Sequence, residues 1–305
     1  HLHLRRVMAA AEPMTNRQRF RALLGFQPVD RLPVMEWAPW WNLTIERWRG
    51  EGLPGQLEDP VAIQRFLGLD PIRQLRIRPT GTGKTLPVRL GVGILADEAG
   101  YEALLPRLFP VRLDRKRLRR WGQQQRRGEQ VLWLTFDGFF WFPRTLLGIE
   151  RHLLAFYDQP GLLHRMNADL LAHQRRVLKE LLKLCTPDFM TFAEDMSYNH
   201  GPMLSRAMFE EFLAPYYRQI FPELRQAGIP VFVDSDGDVT ELVGWMEGVG
   251  VEGFLPLERM AGVDVAEIRR RHPRLLMIGA FDKTVMHRGE RAVRSEFERL
   301  LPVMA

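Results

Sequence analysis

The sequence predicts a (β/α)8 barrel, and three observations predict it. Short β-branched runs alternate with helical runs, each strand-like run closes on a polar residue, and no G-x-G-x-x-G turn follows the first extended run. Alternation of this kind builds a parallel sheet, and the regular spacing favours a closed barrel over an open doubly wound sheet. A chain of 305 residues, 46% hydrophobic, suits one barrel, a fold that runs to ~250 residues.

Taken in order, residues 1–13 read as leader or read-through, and residues 14–305 as a single barrel domain. Thr15-Asn16-Arg17-Gln18 is a capping box that opens the helix NRQRFRALLGF. RLPVMEW (31–37) is predicted as the first strand and VLWLTFDG (131–138) as the next clear one. Two helices follow, RTLLGIERHLLAFY and PGLLHRMNADLLAHQRRVLKELLKL, apolar at spacings of three and four. DFMTFAED (188–195) is a buried strand, and the helical region from Ser205 to Ala227 should bend or break at Pro215 and Pro222. IPVFVDSDG (229–237), a helix capped by Asp238, GFLPLE (253–258), the helix AGVDVAEIRRRH and LLMIGAFD (275–282) complete the series. Closing eight strands takes one more strand and its helix, so the chain reads as truncated there.

Composition narrows the function classes. No run approaches the ~18 apolar residues of a membrane span, and the N-terminal stretch lacks a signal peptide's apolar core. The single cysteine, Cys185, excludes a disulfide framework and a multi-thiolate metal site. It falls at an apolar helix end, where a buried thiol is the expectation, and a reducing cytoplasm fits. The net charge of +6 comes with arginines such as Arg115, Arg117, Arg119, Arg120, Arg126 and Arg127 on a helical stretch without interleaved aromatics. That pattern is a solvated helix face and not a nucleic-acid surface. Arg78-Pro79-Thr80-Gly81-Thr82-Gly83-Lys84-Thr85 imitates a phosphate loop, but Arg78 stands where its first glycine belongs and Leu86-Pro87-Val88 follows in place of a helix.

Polar residues at the C-terminal ends of barrel strands carry function. Here they form an acidic series: Glu36, Asp137, Glu194, Asp195, Asp234, Asp236, Glu258 and Asp282, the last followed by Lys283. Some of these, Asp137 and Asp238 above all, also suit turns and helix caps. Trp37, Trp40, Trp41, Phe139, Phe140 and Trp141 follow strands and either pack beneath loops or line a pocket for a flat ligand or cation. Tyr198 and His200 come after the fourth strand; His200 is a candidate acid, base, ligand or loop-stabilising imidazole. His152, His164, His173 and His272 are expected to face solvent.

The run AEDMSYNHGPMLSRAMFEEFLAPYYRQIFPELRQAGIPVFVDSDGDVTELV resembles the uroporphyrinogen decarboxylase superfamily, as do GVEGFLPLERMAGVDVAEIRRRHPRLLMIGAFDKTVMHRG and NRQRFRALLGFQPVDRLPV. The resemblance implies a barrel with its active site at the strand C-termini. It also implies one of two chemistries: cofactor-free decarboxylation, or zinc-dependent methyl transfer with a corrinoid protein or thiol. The decarboxylases' R-Q-A-G-R loop is matched here by Met35-Glu36-Trp37-Ala38-Pro39-Trp40-Trp41, and the methyltransferases' His-x-Cys pair by Asp234-Ser235-Asp236.

The expectation is therefore a carboxy-lyase acting on a small molecule other than uroporphyrinogen, whose eight carboxylates an acidic mouth would repel. Asp236, Glu194 and Asp195 would serve as catalytic groups with Tyr198 orienting. Glu36, Trp37, Trp41, Asp137, Trp141, His200, Asp282 and Lys283 would bind substrate. Crowding would raise carboxyl pKa values and leave an acid protonated at neutral pH. The runner-up is a methyltransferase with a divalent metal on Asp234, Asp236 and Glu258 and a corrinoid partner; a third reading is a barrel that binds a small ligand without turning it over. No cofactor is required for the lyase, and the resemblance implies a homodimer.

Overall fold

A computed structural model describes residues 13–81, 86 and 91–304. Residues 1–12 of the stretch expected as leader (1–13) and the second half of the phosphate-loop imitation (82–85) lie outside the described residues. Six strands form one sheet in the order β1-β2-β3-β6-β7-β8: β1 (Ile72–Ile77), β2 (Val131–Asp137), β3 (Phe189–Ala193), β6 (Val231–Asp234), β7 (Gly253–Leu255) and β8 (Leu276–Met277). β4 (Ser197–Tyr198) and β5 (Gly201–Pro202) make a separate two-stranded hairpin. β3 runs parallel to β6, β6 to β7 and β7 to β8, with Ala193 level with Asp234 and Asp234 level with Leu255. Helices fill the connections, as parallel pairing requires. This is the mixed α/β architecture of a partial barrel.

Contacts cluster into two compact units. The first comprises the chain up to Leu75, Asp114–Trp133 and Leu184–Asp188. Its opening helix, Asn16–Leu24, starts on the expected capping box: the Gln18 N–H donates to Thr15 Oγ1 at 3.2 Å and the Thr15 N–H to Gln18 Oε1 at 2.9 Å. Arg17 donates to Asp188 at 2.7 Å, and that buried carboxylate also accepts from Gln125 at 2.7 Å and the Leu132 N–H at 3.0 Å. The basic helix Arg115–Arg126 buries Leu118, Trp121, Gly122 and Gln125 and turns its arginines outward, as expected. Cys185 is buried, and burial pushes its thiol up to about 11.

Residues 31–37 do not form the strand predicted for them. Pro33 offers no donor, the Val34 N–H donates to the Asp70 carboxylate at 3.0 Å, and the Val34 carbonyl accepts from the Asp70 N–H at 2.7 Å. The main-chain groups a ladder would use are thus taken. The strand ahead of β2 is β1 (IRQLRI), where the consecutive polar residues Arg73 and Gln74 interrupt the alternation that marks a half-buried strand.

The second unit comprises Arg76–Leu113, Leu134–Lys183 and Phe189–Ala305. Its core holds Phe136, Phe192, Tyr217, Phe221, Phe232 and Phe254, each under 2% exposed. The helical region after β5 breaks at Leu213, between Arg206–Phe212 and Ala214–Gln226; Pro215 sits in the first turn of the second helix, which runs on through Pro222. Two histidines expected in solvent are core residues. His152 packs edge-on against Phe140 at 4.6 Å and His173 lies 5.5 Å from Phe109; burial lowers their pKa values to about 3 and about 4.

Candidate active site

The acids of the second unit meet where β2, β3, β6 and β7 end. Glu194 and Asp195, adjacent in sequence, do opposite work. The Glu194 side chain is fully buried and accepts from the N–H groups of Phe139 and Phe140 at 2.8 Å and of Trp141 at 3.0 Å. It thus seats the start of the helix Trp141–Leu147. A side chain at Gly138 would place its Cβ 2.0 Å from the Glu194 carboxyl carbon, so glycine is required there. Burial pushes Glu194 up to about 8 against the pull of these donors. Both of its oxygens are thus engaged by the main chain that leads into this helix.

Asp195 takes a left-handed backbone, φ +40°, which turns the chain out of β3. Its carboxylate accepts from the Asp236 N–H at 3.3 Å, and its carbonyl accepts from Arg144 at 2.6 Å. Burial first, then the charges of Asp195 and Asp236, raises Asp234 to about 7. Burial, Asp195 and Glu258 raise Asp236 to about 6. Asp195 is itself raised by burial, against the opposing pull of the Asp236 N–H, Arg144 and Arg76. Burial is the larger cause of all three shifts, and the crowding expected from the sequence is the smaller one.

Two cations complete the group. Arg76, on β1, lies 3.3 Å from the buried Asp137, whose pKa burial raises while Arg76 and Arg78 oppose. Arg76 stands outside the acidic series read from the strand ends; its signal in the sequence is the period-two alternation of Leu75-Arg76-Ile77-Arg78. Arg144 lies over the Trp141 ring at 5.2 Å. The mouth is therefore less uniformly acidic than the strand-end residues imply.

Other expected residues are placed differently. Glu258 accepts from Lys283 at 3.0 Å and from the Gly237 N–H at 3.1 Å. Asp282 caps the turn after β8 through Thr284, at 2.9 Å to its N–H. Tyr198 is 48% exposed, edge-on to the exposed His200 at 5.6 Å. Phe139 and Phe140 are packed in the core. Glu36, Trp37 and Trp41 belong to the first unit: Glu36 accepts from the Ala38 N–H at 3.0 Å, Trp37 meets Trp133 edge-on at 6.0 Å, and Trp41 is 76% exposed.

Residues 145–304 match the uroporphyrinogen decarboxylase (URO-D) family model. The chain belongs to this family. The segment that carries the URO-D match holds Glu194, Asp195, Asp234, Asp236 and Glu258. Among solved structures, a methyltransferase from Methanosarcina mazei superposes with a TM-score of 0.60 at 14% sequence identity, over 87% of this chain and 82% of that one. That likeness is one of fold. A search of curated proteins finds no match.

Zinc, which the URO-D superfamily's methyltransferases use, does not fit the donors present. Among the described residues no group of three or more His, Cys, Asp or Glu side chains is arranged to hold a metal ion. Asp234, Asp236 and Glu258 accordingly do not form the metal site expected of them, Glu258 being committed to Lys283 and the Gly237 N–H. No helix among the described residues is long and apolar enough to cross a membrane.

Proposed function

We propose that this URO-D family member is a carboxy-lyase for a small carboxylic acid, using the Asp195–Asp234–Asp236 cluster as its proton source. One observation carries the reading: three aspartates share a half-buried site in which the Asp236 N–H donates to Asp195 at 3.3 Å, and burial together with the Asp195 charge lifts Asp234 to about 7 and Asp236 to about 6. Loss of carbon dioxide breaks a carbon–carbon bond and leaves the electron pair on carbon. A carboxylic acid then delivers a proton to that carbon, becomes a carboxylate, and regains its proton from solvent. Asp236 is the donor best placed for access, being the most exposed of the three. Arg76, its side chain 32% exposed, is the cation available to the substrate carboxylate.

Family and neighbour lend equal weight to decarboxylation and to methyl transfer. The donor set favours the first, since among the described residues it offers protons and no metal-holding group of three or more side chains. The test is a panel of small aromatic and heterocyclic carboxylic acids in D2O, read by released carbon dioxide and by deuterium at the carbon that lost it. Release with one deuteron incorporated, cut about 100- to 10,000-fold by Asp236→Asn, is the expected result. Methyl transfer to a thiol or corrinoid acceptor without any such release would overturn the reading.

A further inference from the structure

The first unit holds a cavity of about 710 Å3 that the acid cluster does not explain. All its lining residues lie between Glu36 and Trp133, outside residues 145–304 that match the family model, and none belongs to the acid cluster. The volume is that of a small-molecule site.

Its walls are aromatic. Trp37, Trp40, Trp121 and Trp133 line it, with Trp37 edge-on to Trp133 at 6.0 Å and Trp40 edge-on to Trp48 at 5.2 Å. Two guanidinium groups already use the Trp121 ring, Arg73 at 5.0 Å and Arg117 at 5.1 Å. Walls of this kind favour a flat, polarisable body.

Charge decides the rest. Arg49, Arg73, Arg117 and Arg120 face three acids, Glu36, Glu58 and Asp59. Asp59 is bound by Arg73 at 2.8 and 2.9 Å, Glu36 by the Ala38 N–H, and Arg117 leans on Asp114 at 3.6 Å. Arg49 and Arg120 have no ion-pair partner among the described residues, and Glu58 is the only lining acid without a hydrogen bond or ion pair among them. Arg120 also belongs to the helix Arg115–Arg126, which adds Arg115, Lys116, Arg119 and Arg126 and contains no acid. The local field is positive over an aromatic floor.

We propose that this cavity binds a flat aromatic anion, with the ring against the tryptophans and the anionic group on Arg49 and Arg120. The chemistry is shared by aryl carboxylates and nucleoside monophosphates. It stands apart from the decarboxylation reading, because the two sites have no residue in common.

The experiment uses the full chain with 2-naphthoate, its neutral amide and AMP as probes, followed by tryptophan quenching and calorimetry. The better anion should bind with a Kd of about 1–100 μM and the amide at least tenfold more weakly. Arg49→Ala/Arg120→Ala should weaken that anion at least tenfold and leave the amide unchanged. Glu58→Gln, which removes the unpaired acid, should tighten the anion a few-fold, a gain that misfolding cannot imitate. Preference for AMP assigns a nucleoside phosphate and preference for 2-naphthoate an aryl carboxylate; either supports the site. No anion binding below 1 mM, equal binding of anion and amide, or a double variant that binds the anion like the unmodified chain would overturn it.

Discussion

The Asp236 N–H donates to the Asp195 carboxylate at 3.3 Å, tying the end of β3 to the loop after β6. Asp195 is also a charge that raises both Asp234 and Asp236. Asp195→Asn keeps the shape and removes that charge, so both neighbours should titrate at lower pH. The check is a carbon-13 NMR titration of the aspartate carboxyls: their midpoints, about 7 and about 6, should move down. The alkaline limb of any turnover profile should move with them. Unmoved midpoints would contradict the coupling.

Asp234 has a folded pKa of about 7, above an ordinary aspartate's 3.8. Its contribution to stability is therefore complete below pH 3.8 and is lost as pH rises through 7. Asp234→Asn removes the cost of ionising there. Relative to the unmodified chain, the variant should gain roughly 2 kcal/mol between pH 5 and pH 8.5 after allowance for solvent screening. Urea denaturation at the two pH values measures it.

Gly138→Ala would drive a methyl group into the Glu194 carboxylate, the ideal Cβ lying 2.0 Å from its carboxyl carbon. A loss of about 2–4 kcal/mol is expected. Glu194→Gln should cost about 1–3 kcal/mol, because its amide nitrogen would face N–H groups that need an acceptor. Denaturant midpoints report both.

His152 and His173 are held neutral, with folded pKa values of about 3 and about 4 against an ordinary 6.5. The unfolded chain takes up these protons first as pH falls, so stability is intact above 6.5 and declines from there toward 4. His152→Leu should flatten that decline measurably between pH 6.5 and 4.5. Thermal melts across this window would show it, and a slope equal to that of the unmodified chain would count against the buried neutral imidazole.

The opening helix and the strands from 131 onward are legible because their signals are local: a capping box at Thr15, apolar runs bounded by turns, and acids at strand ends. What failed depended on partners distant in sequence. Residues 31–37 carry a strand's composition, yet Asp70 takes the Val34 main chain. β1 was obscured because arginines occupy positions where a half-buried strand shows polar residues to water, and one of them, Arg76, instead meets Asp137. His152 and His173 lie on apolar helix stripes, with Phe156 and Val177 four residues on, a pattern that does signal burial. The acids at strand ends could be found in sequence; which of them holds a turn and which holds a proton depended on donors such as Phe139 and Phe140 that only folding brings near.

The seat of Glu194 against Gly138 has a consequence for descent. A larger residue at 138 cannot coexist with a glutamate at 194, and a shorter side chain at 194 would leave three N–H groups without an acceptor. Relatives of this chain should therefore exchange the two positions together or not at all. Asp195, next along the backbone, inherits its placement from that bargain, so its acidity can drift in a lineage without any change at position 195.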